Sequence, residues 1–346
     1  SHLCKSPTYL RALHPTSIPR STRLFHRTSS TVPSNFLLST QQKGLSGRTY
    51  NIEHVLQEEV SPPRQVYRAS AGDHKNFILE HIHPINFEDL QEVNNRLRGN
   101  ASHVRLAMDT ISNKSMFVFD HFTGNFLTLA QNDSPLPPVA MKRILKNALT
   151  GPSELHDQDI VHTTIFLSTD RIAIKKLFST KFSLETGKDA AYIPPGCDMI
   201  GKQAGKWMWR SPEAHARGPI NKPSDIFSFA LVCICAIHKR ISFAVREDEP
   251  EEGVDPLAVV FERQISYFAD EDGLNEFLKH LGDNSWVRVF EVIRDGFNQE
   301  ISREPFKFWN GIDEDFRSLI CDMTCFDPAK RSTARQALER KWFEGV

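Results

Sequence analysis

KPSDIFSFALV, residues 222–232, opens the most apolar run in the chain, FSFALVCICAI from Phe227 to Ile237. Asp225 stands at its head and His238-Lys239-Arg240 closes it. The run is about half the length a membrane-spanning helix needs, so it reads as a helix buried in a protein core. The acid at its head can cap the helix. No transmembrane anchor is expected.

The regions on either side of this helix differ in kind. Toward the C-terminus, and back to about residue 136, the periodicity is helical: PVAMKRILKNAL, PLAVVFERQISYF, DEDFRSLICDMT and ARQALERKWF. Gly151-Pro152 falls inside KNALTGPSELH (146–156), which continues the first pattern, and a proline there removes a helix bond, so a kink is expected. Between Tyr50 and about residue 122 the runs are short and β-rich: QVYRA (65–69), FILEHI (77–82), HVRLAM (103–108) and MFVFDHF (116–122). One helix, NFEDLQEVNNRL (86–97), is expected among them. A β-rich first third feeding a helical remainder is an α+β arrangement with two lobes.

A chain of 346 residues can bury a sizeable core as one large domain or two small ones. Its net charge of −1 gives no electrostatic case for nucleic acid. The charge is unevenly placed, however: residues 1–52 carry seven Lys or Arg and no acid. The stretch RALHPTSIPRSTRLFHRTSSTVPSNFLLSTQ within it is rich in Arg, Ser and Thr, the composition of a mitochondrial presequence. A basic tail without an address, on a cytoplasmic protein, is the other reading. The expected division is 1–49 for this segment and 50–346 for the folded domain. The six cysteines form no Cys-x-x-Cys pair, which suits free thiols in a reducing compartment. EHIH (80–83) has no further ligand cluster beside it, and no metal is expected. The acidic run REDEPEEGVD (246–255) reads as a solvated loop between helices.

Four stretches, in order, resemble the eukaryotic protein kinase superfamily. LHDQDIVH (155–162) looks like the approach to a kinase catalytic loop, and MWRSPEAH (208–215) like the Ala-Pro-Glu motif with Ser211 in the Ala place. KPSDIFSFALV resembles the Asp-x-Trp-Ser-Phe-Gly helix start, and FDPAKRSTARQALERKWF (326–343) the final kinase segment. The resemblance implies a small β-rich N-lobe, about 50–119, and a larger helical C-lobe, about 120–346. It implies scaffold roles too. Glu213 would pair with Arg331, Asp225 would accept backbone N–H bonds from the catalytic-loop turn, and His162 would pack against the core.

The same resemblance exposes what is missing. Phosphoryl transfer needs an acid that orients the hydroxyl, ligands for Mg²⁺, a lysine on the phosphates and a glycine loop above them. Laid on His162, the family pattern puts Thr164 at the catalytic Asp, Phe166 at the Lys and Thr169 at the metal-binding Asn. Thr cannot act as a base near neutral pH. The Asp-Phe-Gly position falls at Thr186-Gly187-Lys188, or at Ser183-Leu184-Glu185 in a shifted register. In the first lobe Val66 matches the valine after the glycine loop, yet VLQEEVSPPRQ (55–65) before it holds no glycine. Glu80 occupies the place of the phosphate lysine and Phe119 that of the gatekeeper. Glu88 and Glu92 are the candidates for the helix glutamate that would have paired with that lysine.

The leading expectation is therefore a pseudokinase: a kinase fold, catalytically impaired, that serves as a binding or regulatory module for protein partners, without a cofactor. The alternative is an active ATP-dependent kinase acting on Ser/Thr through a rewired site, in which case Mg·ATP is the cofactor. A third reading is a mis-assembled coding sequence, because TTIFLSTDRIAIKKLFSTKFSLETGK (163–188) is one continuous unusual segment. The departures at 55–65 and Glu80 lie far from that segment.

Overall fold

The computed structural model describes residues 40–346 apart from 61–62, 74, 122–123, 126–135, 164, 166–170, 173–183, 186–189, 203–204, 206, 240, 247–248 and 251–253. Its first part is an antiparallel sheet of six strands. In chain order the elements are β1 (Gln41–Lys43), β2 (Thr49–Val60), β3 (Pro63–Ser70), β4 (Asn76–His81), helix α1 (Pro84–Leu97), β5 (Val104–Arg105), β6 (Asp109–Ile111) and β7 (Met116–Asp120). The strand order is β1-β2-β3-β4-β7-β6, and β5 stands apart from this sheet. The sheet therefore begins at Gln41, ahead of Tyr50. HVRLAM contributes only the two residues of β5.

Period-two alternation gives the sheet two apolar faces. Tyr50, Tyr67, Phe77, Leu79, Met116 and Val118 fill one face as a separate cluster. Val66, Ile78, Phe117 and Phe119 line the other, together with Phe87, Leu90, Val93 and Leu97 of α1. Phe87 stacks on Phe117 with ring centroids 5.0 Å apart. On the outer face Asp109 accepts hydrogen bonds from Tyr50 Oη at 2.8 Å and from the backbone N–H of Ser46 at 3.0 Å. The turn that brings Ser46 there passes so close that a Cβ on Gly44 would lie 2.0 Å from the Asp109 carboxylate. Glycine is required at that position for space.

The remainder is helical. Its elements are α2 (Pro138–His156), α3 (Pro212–His215), α4 (Lys222–His238), α5 (Pro256–Phe268), α6 (Glu271–Leu281), α7 (Val287–Gly296), α8 (Glu314–Met323) and α9 (Ala334–Leu338). Side chains start several of them as the caps demand. Asp255, Asp270 and Asp313 accept from Leu257 N, Gly273 N and Phe316 N at 2.8, 2.7 and 2.9 Å. Thr333 and Gln336 form a reciprocal capping box at α9. Helix α4, the apolar run, is buried continuously from Ser224 to Ala236, as expected for a helix surrounded by protein. Lys239, in the left-handed region at φ 57°, ends it. Helix α2 continues through Pro152 to His156. Gly151, Pro152 and Ser153 are all buried, so packing holds the turn that local propensity would open. Among the described residues no helix is long and apolar enough to cross a membrane.

One apolar cluster joins the two regions. It runs from Val66 and Phe119 on the sheet through Leu145 and Leu149 of α2 to Ile226 and Phe227 of α4.

Candidate active site

The site is built from a turn, a helix start and the inner face of the sheet. The turn follows strand β8 (Ile160–Val161), whose residues pair antiparallel with Tyr192 and Ala191. Asp225, in the first turn of α4 and 1 % exposed, holds it from below. Its carboxylate accepts from the backbone N–H of His162 at 2.7 Å and of Thr163 at 2.8 Å, and meets His156 Nε2 at 3.0 Å. A carboxylate enclosed in protein needs such donors to offset its lost hydration. Thr163 is forced to φ 62°, unusual for a β-branched residue. The strain is held by the bond to Asp225 and is of the order of 1–3 kcal/mol. Nothing in the sequence announced this strained position. His162 is buried beside it.

Thr164, Phe166 and Thr169, matched to the catalytic acid, lysine and asparagine, lie outside the described residues, as do Ser183 and Thr186-Gly187-Lys188. Leu184–Glu185 forms a two-residue strand, parallel to β5. The anchor of the loop is thus placed and its chemistry is not.

Glu213 and Arg331 meet as a two-pronged ion pair, with Nη1···Oε1 at 2.7 Å and Nη2···Oε2 at 3.3 Å. Their side chains are 2 % and 0 % exposed, so the pair is fully enclosed. Arg331 spends its other donors on the carbonyls of Cys325 and Pro223, both at 2.9 Å. Its guanidinium lies 5.0 Å from the Phe227 ring centroid. Ser211, in the Ala place of the motif, caps α3 and shares a 2.7 Å hydrogen bond with Ser224.

On the sheet, the register places Glu80 opposite Val66 on one side and Phe117 on the other. All three are buried on the inner face, with Glu80 6 % exposed. Phe119 is buried two residues along, opposite Ile78. In place of a glycine loop, β2 and β3 pair as far as Val60 and Pro63, with two register shifts on the way. Glu58 accepts from Gln65 Nε2 at 2.8 Å across that hairpin. Glu88 and Glu92 both project to solvent on α1, where Glu92 pairs with Arg96 at 3.0 Å. The inward positions of the helix are Phe87, Leu90, Val93, Asn94 and Leu97. Arg96 also lies over the Tyr192 ring at 4.1 Å, which ties α1 to the strand paired with β8.

The protein kinase domain family matches residues 89–343. That span starts within α1, so β1 to β4 precede it. No curated protein matches the chain. The sheet, the helical remainder, the Asp225 anchor and the Glu213–Arg331 pair all accord with that match, and the chain belongs to the protein kinase domain family.

Proposed function

We propose that the chain is a pseudokinase: a kinase-family domain impaired in phosphotransfer that works as a binding or regulatory module for other proteins. One observation carries the reading. Glu80, at the place of the phosphate lysine, is buried between Val66 and Phe117 on the inner sheet face. A glutamate there cannot supply the positive charge that the family places on the phosphates, and it fills the position the lysine would occupy. The hairpin that replaces the glycine loop supports the same conclusion, because its sequence holds no glycine and Pro62 and Pro63 have no backbone N–H to offer a phosphate.

The alternative, an active kinase with a rewired site, is favoured by the anchor. Asp225 holds His162 and Thr163 as a working loop would require. A thermal-shift titration with ATP, with and without Mg²⁺, separates the two. The pseudokinase reading expects no more than about a degree of stabilisation at millimolar Mg·ATP, since binding at a hundred times Kd would add about 2.7 kcal/mol. A shift of several degrees that requires Mg²⁺ would count against the pseudokinase reading, and transfer of labelled phosphate to a Ser/Thr substrate would establish the alternative. Residues 1–49 are proposed to be a mitochondrial presequence on this domain.

A further inference from the structure

The outer edge of the sheet is covered for only part of its length. Strand β1 pairs antiparallel with β2 at three positions, Gln41 with Asn51, Gln42 with Tyr50 and Lys43 with Thr49. The ladder runs one step further, because the backbone N–H of Ile52 donates to the carbonyl of Thr40 at 2.7 Å. Strand β2 then continues to Val60. Among the described residues no strand runs beside residues 53–56 on that side. An open sheet edge is a template for a further strand. This one carries two apolar side chains in water: Val55 is 56 % exposed and Leu56 42 % exposed.

The chain itself supplies a segment that fits. Thr40 already stands in the ladder, and Asn35-Phe36-Leu37-Leu38-Ser39 leads directly into it. The run is uncharged and holds three bulky apolar residues, as a strand that covers an apolar edge requires. Continuing the β1–β2 register sets Leu37 opposite Val55 and Phe36 opposite Leu56. The register shift between Ile52 and His54 adds one residue to β2. Taking up that residue moves Leu38 to Val55 and Leu37 to Leu56. Either count brings an apolar residue to each exposed one. Because the segment extends a pair that is already formed, no loop has to close before it adds.

We propose that residues 35–39 extend β1 along β2 as a strand of this domain, laid against Val55 and Leu56. The tether at Thr40 gives this segment a far higher effective concentration at the edge than a second copy or another protein would have. Its backbone adds to the sheet as a docked peptide strand does. The strand braces the root of the β2–β3 hairpin, the element that stands in place of the glycine loop. It also sets the start of the folded domain at Asn35, so a presequence removed from the chain is cut ahead of that residue. The inference does not depend on whether the chain binds nucleotide or transfers phosphate.

Hydrogen–deuterium exchange on the full chain, read by mass spectrometry, tests it from both sides of the new pair. Peptides covering 36–39 should exchange at least about tenfold more slowly in the parent than in Val55→Asp/Leu56→Asp, which changes only exposed side chains. Leu37→Pro, which removes a backbone donor from the added strand, should speed exchange across 53–56. Peptides from β4 and β7 should exchange alike in all three proteins, showing the sheet intact. Exchange of 36–39 in the parent at the rate of an unstructured peptide would overturn the proposal. So would protection of 36–39 that survives Val55→Asp/Leu56→Asp, or exchange across 53–56 that Leu37→Pro leaves unchanged. Protection that rises with protein concentration, alongside a dimer mass by light scattering, would assign the edge to a second copy and overturn it too.

Discussion

Glu213 and Arg331 show what a single contact contributes once it is enclosed. The pair is 2.7 Å long, dry, and surrounded by carbonyls that satisfy the rest of the guanidinium. Glu213→Ala leaves that cation buried without its counter-ion, and the expected loss is about 3–5 kcal/mol, read as a lower urea midpoint. An unchanged midpoint would mean that water reaches Arg331. His215, two residues on in the same short helix, sets a pH dependence. Burial, then the charge of Arg210, lowers its pKa to about 3, against a backbone hydrogen bond at Trp207. Unfolded, the imidazole titrates near its ordinary value of about 6.5. The unfolded chain takes up a proton that the fold refuses, so this contribution is whole above neutrality and is lost as pH falls from about 6.5 toward 3. At pH 5 the loss is about 2 kcal/mol. Glu262 works the other way, because burial raises its carboxyl to about 7, and its stabilisation is lost as pH rises through that value. Urea midpoints at pH 5 and 7 test both. His215→Leu should favour the acid side relative to the parent, and Glu262→Gln the neutral side. A His215→Leu variant with the parent's pH profile would show that the imidazole titrates in the fold as it does in the unfolded chain.

Among elements, α2 carries a visible conflict between local preference and packing. Pro152 denies the helix one backbone bond, yet the helix continues to His156 within the core. Replacing it by Ala restores the donor at the loss of some apolar contact. The expected net gain is on the order of 1 kcal/mol, measured as a raised urea midpoint, because interior proline costs about 3 kcal/mol. A lowered midpoint would show that the ring's packing outweighs the missing bond. The elements readable from sequence were those with strong periodicity: α4 through its unbroken apolar run, α5, α8 and α9 through amphipathic spacing, β3, β4 and β7 through alternation. Strand β2 was not readable. From Glu53 to Glu58 its side chains are exposed, so no buried apolar face marks that stretch, and there pairing with β3 alone defines the strand. The site divided in the same way. Asp225, Glu213 and Arg331 were legible from motif spacing, whereas the strain at Thr163 depends on a carboxylate more than sixty residues away in sequence. The solvent-facing sides of Glu88 and Glu92 were also hidden, because helix rotation is set by packing on the sheet rather than by spacing alone.

For the whole molecule, two questions of extent arise. The first is the address. If residues 1–49 are a presequence, a fluorescent reporter fused to residues 1–50 should enter mitochondria, and should fail to when Arg11, Arg20, Arg23 and Arg27 become Gln. A diffuse signal from the unchanged fusion would remove the mitochondrial reading and leave the domain proposal intact. The second concerns where the domain divides. The cluster that links Val66 and Phe119 to Leu145 and Phe227 crosses the join between sheet and helices. The family match begins at residue 89, inside the helix that covers this cluster. A chain cut at that point would leave Leu90, Phe117 and Phe119 facing water, without the neighbouring strands that now cover them. Such a fragment is a sticky remnant, prone to precipitate or to be captured by chaperones. The limit at which family likeness becomes detectable is therefore no place for a protease, a gene fusion or an expression boundary to divide the chain.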